Sequence, residues 1–525
     1  MTYLKYLIIV VGLCTITSCI DLRHEDSTNV FEEDFFKNEN DLKLYIYSLY
    51  KPFCSSPADA NTWGIYSTLD GGYYAMTENT TDILTTEKNN DKAASAVCNR
   101  HNFDLFNTPQ CTNPIYNKFL PKVSHLSKAR MAALRIMDTD ISNKEIYAAE
   151  AKAIVGWMGM ILYDMFGPMP YASDELLREW NVNPMNGQYL PRATKEDFLG
   201  YLQKNLEEAI PILPEKQDPW GRVTKGAASM ILLRIHLLQE DFINAKKVAK
   251  SIYEMGVEGG GSLYSLEKDY KRVFSIENRG GSCKEVILAV PCNGTKEYSP
   301  NQWFCVTMPD DYPHISPNSK GSGTHRMRWA FYDTYEAGDA RLQTIVAEYT
   351  STKNKDENGN PIVVKRNDKN LKNGALPFKY DMDPTVNGDF SKNDIVVFRY
   401  AEAILAYAEA INETEGPTKE AVDLLNIIRK RANLAEYNWQ TDSQVNTKEA
   451  FRETILLERG HELYCEGVRH MDLVRMGKFV EYGKRGLTKA ALKDYNNDPL
   501  RCVFPIDPQL VIDSKGIFKQ NEAYN

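Results

Sequence analysis

Residues 398–434 read FRYAEAILAYAEAINETEGPTKEAVDLLNIIRKRANL, a pattern typical of two amphipathic helices joined by a turn. Apolar residues at i, i+3, i+4 and i+7 share one helix face. In the first helix that face consists of Ile404, Tyr407, Ala408 and Ile411. In the second it consists of Ala421, Leu424, Leu425 and Ile428. Gly416 and Pro417 separate them, so the stretch predicts a helical hairpin.

A second hairpin is predicted at residues 224–254, TKGAASMILLRIHLLQEDFINAKKVAKSIYE. Further helices are indicated by IYAAEAKAIVGWMGMILYDMFG and by TKEDFLGYLQKNLEEAIPILP, which opens with a capping-box pattern at Thr194 and Asp197. Hairpins of this kind cannot bury their apolar faces alone, so they are expected to stack on each other. The predicted fold is mainly α, a scaffold of tetratricopeptide-like helical hairpins.

Two long segments have a different composition. Residues 52–115 and 256–395 are rich in Gly, Asn, Asp, Ser and Pro, which predicts loops and short strands. Both place aromatic residues among turn residues, in NTWGIYSTLDGGYY and NGTKEYSPNQWFCVTMPDDYPH. Because binding groups tend to sit on loops held by a rigid scaffold, these insertions are expected to form the ligand face.

The N-terminus has the features of an export signal. Lys5 precedes a short apolar run over residues 6–13, which is shorter than a membrane-spanning helix. Ile16, Thr17 and Ser18 before Cys19 resemble a bacterial lipobox, so we predict cleavage before Cys19 and attachment of lipid to its thiol. The alternative is an ordinary signal peptide with an incidental cysteine.

Composition narrows the classes of function. The chain has 525 residues, of which 43% are hydrophobic and 25% charged, as in ordinary globular proteins. A formal net charge of -9 without a dense basic stripe makes nucleic acid an unfavourable partner. Eight cysteines remain besides Cys14 and Cys19, so disulfides are allowed, but their pairing does not follow from sequence.

One charged cluster invites a catalytic interpretation. Glu458, Glu462 and Glu466 alternate with Arg459, Arg469 and Arg475 in LLERGHELYCEGVRHMDLVRMG. Arginine neighbours favour ionised carboxylates, which are poor general acids, so a structural ion network is predicted instead. The E-x-x-H match at Glu458 and His461 has no second copy, and DENGN (residues 356–360) fits a turn better than a calcium loop. No metal site and no cofactor is predicted.

The loop aromatics are the candidates for ligand contact, because an exposed ring offers a flat apolar face. We select Trp63, Tyr66, Tyr74, Tyr298 and Trp303. For each of them, a ring buried in the small core of a loop is the alternative. Trp157 lies within a helical run and is expected in the core, as are the rings of RWAFYDTYEAGDARLQ.

Several separated motifs, in order, resemble the SusD/RagB family of outer-membrane glycan-capture lipoproteins. They are ENDLKLYIYSLY, AEAKAIVGWMGMILYDMFGPMPY, GRVTKGAASMILLRIHLLQEDFINA, FRYAEAILAYAEAIN with NIIRKRA, LLERGHELYCEGVRHMDLVRMG, and the ending FPIDPQLV with KQNEAYN. The resemblance implies a lipid anchor at the outer membrane of a Bacteroidetes-type cell, facing outward. It also implies a partner, a TonB-dependent transporter barrel to which oligosaccharides are delivered. If the ligand is a glycan, the five loop aromatics selected above are expected to stack on the apolar faces of its sugar rings.

The predicted organisation follows from these points. Residues 1–18 are the signal peptide, 19–30 the lipidated leash, and 31–525 one SusD-like domain. That domain divides into an N-terminal helical half (31–255, with the aromatic loop 52–115), a loop-rich insert (256–395) and a C-terminal helical half (396–525). The predicted role is non-catalytic glycan binding. A glycoside hydrolase with two carboxylates about 5 to 9.5 Å apart, or a capture protein for peptide or glycopeptide cargo, is the alternative.

Overall fold

The computed structural model describes residues 36–54, 64–68, 72–86, 94–107, 122–182, 189–295, 300–314, 316 and 318–525. The predicted signal peptide, the leash and Cys19 lie outside these residues. None of the helices in the described ranges is long and apolar enough to cross a membrane.

Eighteen α-helices are present in the described ranges. Their bounds are α1 Glu39–Tyr50, α2 Tyr73–Glu78, α3 Ala94–Asn99, α4 Val123–Met137, α5 Lys144–Phe166, α6 Asp174–Val182, α7 Lys195–Ala209, α8 Lys225–Leu238, α9 Phe242–Met255, α10 Trp303–Thr307, α11 Trp329–Tyr332, α12 Tyr400–Glu415, α13 Lys419–Arg431, α14 Lys448–Leu463, α15 Arg469–Arg475, α16 Phe479–Gly483, α17 Lys489–Lys493 and α18 Pro508–Asp513.

The helices pair as hairpins, as predicted. Helix α8 packs against α9, and α12 packs against α13. These two hairpins stack, because α9 also lies against α12. Gly416 ends α12 with a φ of 86°, a left-handed conformation that favours glycine. The predicted cap at the start of α7 is present too, since the hydroxyl of Thr194 accepts from the Asp197 amide at 3.1 Å. The mainly α fold class is confirmed.

Eight short β-strands are also present in the described ranges. They are β1 Leu84–Thr86, β2 Val286–Val290, β3 His325–Arg328, β4 Ile345–Val346, β5 Tyr349–Lys355, β6 Pro361–Val364, β7 Gly374–Pro377 and β8 Ile395–Arg399. One antiparallel sheet has the order β1-β3-β7-β4, while β2 pairs with β8 and β5 with β6. In the four-stranded sheet Met327 is opposite Leu84 on one side and Ala375 on the other.

Two main apolar clusters form the core. The larger one joins the helices of both halves of the chain, and Trp157 is buried in it as predicted. The second lies mostly within residues 270–396 and includes Phe331 and Tyr335. Tyr464 and Cys465, which follow α14, also belong to the second cluster. The end of α14 therefore fastens the insert to the helical scaffold.

A buried ion network lies at this junction. Arg399 donates through Nε to Glu466 at 2.7 Å and through Nη1 to Glu285 at 2.8 Å, and it also binds Glu462. Burial raises the pKa of Glu462, but Arg431, Arg399 and Arg341 hold the pKa of this carboxyl well below its usual range. The structural network predicted for the three glutamates is confirmed.

The partners within that network differ from those in the sequence prediction. None of the three expected arginines contacts Glu458, Glu462 or Glu466. Their ion pairs are Arg459 with Asp472, Arg469 with Asp82, and Arg475 with Glu409 and Asp472. The glutamates instead bind basic residues that are distant in sequence. The network thus connects different parts of the chain rather than successive turns of one region.

Seven cysteines in the described ranges are free thiols. They are Cys54, Cys98, Cys283, Cys292, Cys305, Cys465 and Cys502. The packing of these parts of the chain therefore does not depend on a disulfide among them.

Candidate functional site

Trp303 is a core residue, which corrects the prediction that it stacks on a sugar ring. Its side chain is 0% exposed, and its indole Nε1 donates to the Pro377 carbonyl oxygen at 2.9 Å. The indole also stacks on the His325 ring, with centroids 5.6 Å apart and planes within 10°. Strands β3 and β7, which contribute these neighbours, cover the ring. A ligand has no face of it to contact.

Tyr66 and Tyr74 require the same correction, since each is 2% exposed. The Tyr66 hydroxyl accepts from Trp157 Nε1 at 2.8 Å, and the Tyr74 hydroxyl donates to the Val396 carbonyl at 2.7 Å. Both hydroxyls are therefore engaged inside the protein. The two rings contact each other edge to face, with centroids 5.2 Å apart. These tyrosines tie the aromatic loop to the helical core.

Trp63 and Tyr298 lie outside the described residues, so their role stays a prediction. Described residues from the two segments that carry them do meet. The Gln302 amide donates to the Thr68 hydroxyl at 2.8 Å, and Gln302 Nε2 donates to Asp389 at 2.6 Å. The hydrogen bond from the Gln302 backbone amide to Thr68 thus joins the two loop-rich segments.

A cleft of about 570 Å³ lies at the other end of β3. We call it the Trp329 cleft. It is bounded by the end of β1, by α3, by the start of α11, by residues 366–373 and by residues 486–494. Its volume lies in the range of small-molecule sites, about 300–1,000 Å³. Gly486 forms part of the floor, because a Cβ at this position would approach Ala330 Cβ to 2.8 Å.

One wall of the cleft is built on Trp329. Its indole Nε1 donates to the Leu371 carbonyl oxygen at 2.7 Å, which fixes the ring. The Arg366 guanidinium lies over the ring, 4.5 Å from the centroid. Both terminal nitrogens of Arg366 donate to Asp333, each at 2.7 Å. This bidentate pair holds the guanidinium over the indole at the edge of the cleft.

The opposite wall is also held by hydrogen bonds. The side-chain Oδ1 of Asn99 accepts from the Thr85 hydroxyl at 3.0 Å and from the Thr86 backbone amide at 3.2 Å. Its Nδ2 donates to the Asn79 carbonyl at 2.6 Å. Asn99 therefore keeps the end of β1 against α3. The cleft is pre-formed on both sides, which lowers the entropic cost of binding.

The lining groups suit a ligand with many hydroxyls. Hydroxyl groups are provided by Thr85 and Thr488, an amide by Asn373, and charged groups by Lys372 and Asp494. Apolar surface is also present and comes from Trp329, Leu487 and several alanines. In the described ranges no group of three or more His, Cys, Asp or Glu side chains is placed to hold a metal ion. The arrangement is one for binding through hydrogen bonds.

Comparison with known proteins agrees with the sequence motifs. Residues 263–506 match the sequence model of the SusD family. The chain is 23% identical over 537 residues to SusD-like protein P2 of Formosa agariphila, covering 98% of each chain. It is 24% identical to the starch-binding protein SusD of Bacteroides thetaiotaomicron, covering 62% of this chain and 65% of that one.

Over residues 263–506, the chain is thus similar in sequence to the SusD family. Its fold matches that of a SusD homologue from Bacteroides thetaiotaomicron with a TM-score of 0.74 at 19% identity, covering 94% and 99% of the two chains. Surface glycan-binding protein A of the same organism, in complex with laminarihexaose, matches with a TM-score of 0.66 at 18% identity, covering 92% and 99%. The SusD-family match takes in most of the Trp329 cleft, from Trp329 to Asp494.

The Trp329 cleft is lined by residues that the sequence analysis does not predict as ligand contacts. Trp329 was assigned to packing, and its indole is indeed mostly buried, yet its edge also lines the cleft. Arg366, Lys372 and Asp494 were not considered. One signal was available, because residues 365–373 read KRNDKNLKN, with four basic residues among nine. Nothing in the sequence indicated that this segment lies beside Trp329.

Proposed function

We propose that this chain is a non-catalytic glycan-binding lipoprotein of the cell surface, which captures oligosaccharides and delivers them to a TonB-dependent transporter. The observation that carries the proposal is the Trp329 cleft, a pre-formed space of about 570 Å³ lined by hydroxyl, amide and charged groups. Oligosaccharides present hydroxyl groups on every ring, so such a lining complements them.

Family relationships support the same class of ligand. One relative is a starch-binding protein, and one structural neighbour was solved with laminarihexaose bound. A few hydrogen bonds, less the cost of association, correspond to roughly millimolar to micromolar affinity. Such affinity suits a protein that must release its cargo to a transporter.

The main rival is a glycoside hydrolase, which needs one carboxyl group as a proton donor and a second as nucleophile or base. The carboxyl groups lining the cleft belong to Asp333 and Asp494. Both oxygens of Asp333 accept hydrogen bonds from Arg366, so this carboxylate is already occupied. This favours binding over hydrolysis. A peptide or glycopeptide cargo is the second rival, and a panel of glycans and peptides scored for both retention and cleavage separates the three.

Filling the cleft tests the location of the site. Ala490 is exposed and lines the cleft, so Ala490→Trp places an indole in the space that a sugar would occupy. We expect the affinity for a retained oligosaccharide to fall at least about tenfold, the loss of roughly 1.4 kcal/mol of binding free energy. Isothermal titration calorimetry measures this change.

Leu492→Trp is the matched control, because Leu492 lies on the same short helix, is 43% exposed and does not line the cleft. It should retain the affinity of the unmodified chain. Equal affinities of the two variants, with both folded by circular dichroism, would place the binding site elsewhere.

Anchoring and delivery are tested in cells. We expect Cys19→Ala to move the protein from the membrane fraction to the soluble fraction in cells that lack the transporter, since the lipid is then absent. The unmodified protein, extracted in detergent, should copurify with a large barrel protein in stoichiometric amount. Immunoblots of the fractions and mass spectrometry of the complex give the readouts.

The lipid anchor and the delivery to a transporter are contradicted by different results. Cys19→Ala protein that stays with the outer membrane without the barrel argues against the lipid anchor. Unmodified protein that purifies alone argues against delivery to a transporter.

A further inference from the structure

Residues 365–373 form a basic wall along the Trp329 cleft. The segment KRNDKNLKN contains Lys365, Arg366, Lys369 and Lys372 against one acidic residue, Asp368. The whole chain carries a formal net charge of -9, so this segment is far more positive than the chain as a whole. Arg366, Lys372 and Asn373 from this segment line the cleft.

The lysines of the basic wall are not neutralised by the protein. Within the described part of the chain, Lys365, Lys369 and Lys372 have no carboxylate within 4.0 Å, whereas Arg366 is paired with Asp333. All three lysines are exposed. A surface lysine without a partner is common, so the lack of ion pairs alone does not indicate a site.

The backbone of the wall is fixed, unlike that of a solvated charged loop. Trp329 Nε1 donates to the Leu371 carbonyl at 2.7 Å, and Arg326 Nε donates to the Asn370 carbonyl at 2.7 Å. The Asn370 side chain in turn donates to Asp311 at 2.8 Å. Leu371 itself is fully buried. The backbone that carries these lysines is therefore fixed beside the cleft.

Arg328 adds a buried positive charge next to Gly486, the floor residue of the cleft. Arg328 is fully buried and donates to the carbonyls of Gly483 and Arg485, which precede the floor residue Gly486. In the described ranges this guanidinium has no carboxylate within 4.0 Å, and its Nη2 has no hydrogen-bond partner. Burial lowers the pKa of Arg328 to about 10, which leaves it charged at neutral pH.

The acidic groups of the cleft do not offset these charges. Asp333 is compensated by Arg366, which leaves Asp494 as the other lining carboxylate, while Lys372 and Arg100 also line the cleft. Clefts lined by one sign of charge concentrate ligands of the opposite sign. Ammonium and guanidinium groups form their strongest hydrogen bonds with carboxylate, sulfate and phosphate oxygens.

We propose that the Trp329 cleft selects anionic glycans, whose sugars carry carboxylate or sulfate groups, with Lys372 and the basic wall as the selecting element. This inference rests on the proposed function, because it names the class of glycan that is captured. Neutral glycans, which offer only hydroxyl groups, should bind more weakly.

The test compares three sets of oligosaccharides of equal length on the mature chain: neutral glucans such as laminarihexaose, uronic-acid oligomers, and sulfated oligomers. We expect at least one anionic set to bind about tenfold or more tightly than the neutral set. Its affinity should fall as sodium chloride rises from 50 to 500 mM, because salt screens exposed charges. The two anionic arms distinguish carboxylate from sulfate recognition.

Lys372→Gln removes one lining charge and keeps the side chain polar. We expect it to lower the affinity for the anionic ligand about threefold to tenfold, and to lower the affinity for neutral ligands by a smaller factor. Lys355→Gln is the control, since Lys355 is exposed at the end of β5, outside residues 365–373, and does not line the cleft. It should change the affinity less than twofold.

The outcomes separate this inference from the proposed function. Neutral glycans that bind as tightly as anionic ones, without salt dependence, overturn the selection for charge and leave glycan capture intact. Equal effects of Lys372→Gln and Lys355→Gln also overturn it. If the chain retains no glycan from any of the three sets, the proposed function itself is wrong.

Discussion

Replacing Trp303 by alanine is expected to lower the free energy of unfolding by about 3–5 kcal/mol, because a fully buried indole leaves a large cavity. The variant also loses the hydrogen bond to the Pro377 carbonyl and the stacking on His325. Strands β3 and β7 close over this ring, so neither is free to fill the space. Chemical denaturation of the mature chain, followed by fluorescence and circular dichroism, measures the effect.

Trp439→Ala is the matched control, since this tryptophan is 37% exposed. Its loss should cost about 1 kcal/mol or less. Under conditions in which Trp303→Ala remains folded, its affinity for glycans should equal that of the unmodified chain. A variant with the stability of the unmodified chain and weakened glycan binding would restore Trp303 to the ligand face.

Arg399→Met is expected to destabilise the chain by about 3–5 kcal/mol, because removing one partner leaves buried charges uncompensated. Glu466, Glu285 and Glu462 all accept hydrogen bonds from this guanidinium, whose side chain is 0% exposed. Arg431 compensates Glu462 and Glu285 in part, and Lys379 compensates Glu466, so the network is weakened rather than abolished. The midpoint of urea unfolding at neutral pH reports the loss.

Arg178→Met serves as the comparison for a solvent-exposed pair. Arg178 and Asp138 form a salt bridge at 2.6 Å, but their side chains are 50% and 54% exposed. Such pairs contribute about 1 kcal/mol or less, so this variant should unfold close to the unmodified chain. If the two arginine variants lost equal stability, the network around Arg399 would not be holding the insert to the helices.

Local patterns in the sequence predicted the helical part of the fold well. The hairpins at residues 224–254 and 398–434 and the cap at Thr194 depend on spacings of three and four residues, which the sequence displays directly. The partners of Glu462 could not be predicted in this way. Arg341, Arg399 and Arg431 reach it from other elements, and only the assembled fold brings them together.

The candidate site was harder to predict from the sequence, because it too depends on contacts between residues that are distant along the chain. Turn residues around Trp303 suggested an exposed ring, but burial is decided by β3 and β7, which are distant in sequence. Trp329 was correctly predicted to pack, while its position beside residues 365–373 depends on the pairing of β3 with β7. A prediction from composition finds aromatic residues in loops and does not determine which of their faces remain open.

The basic wall is attached to the protein through carbonyl oxygens at Asn370 and Leu371, which accept from Arg326 and Trp329. Carbonyl oxygens belong to every residue type, so these two bonds do not depend on which side chains the wall carries. Exposed positions such as Lys365, Lys369 and Lys372 are thus open to replacement while the segment keeps its path. A library randomised at these three positions should yield mostly folded proteins with altered ligand preference, which makes the wall a natural place for divergence and for laboratory evolution of new specificities.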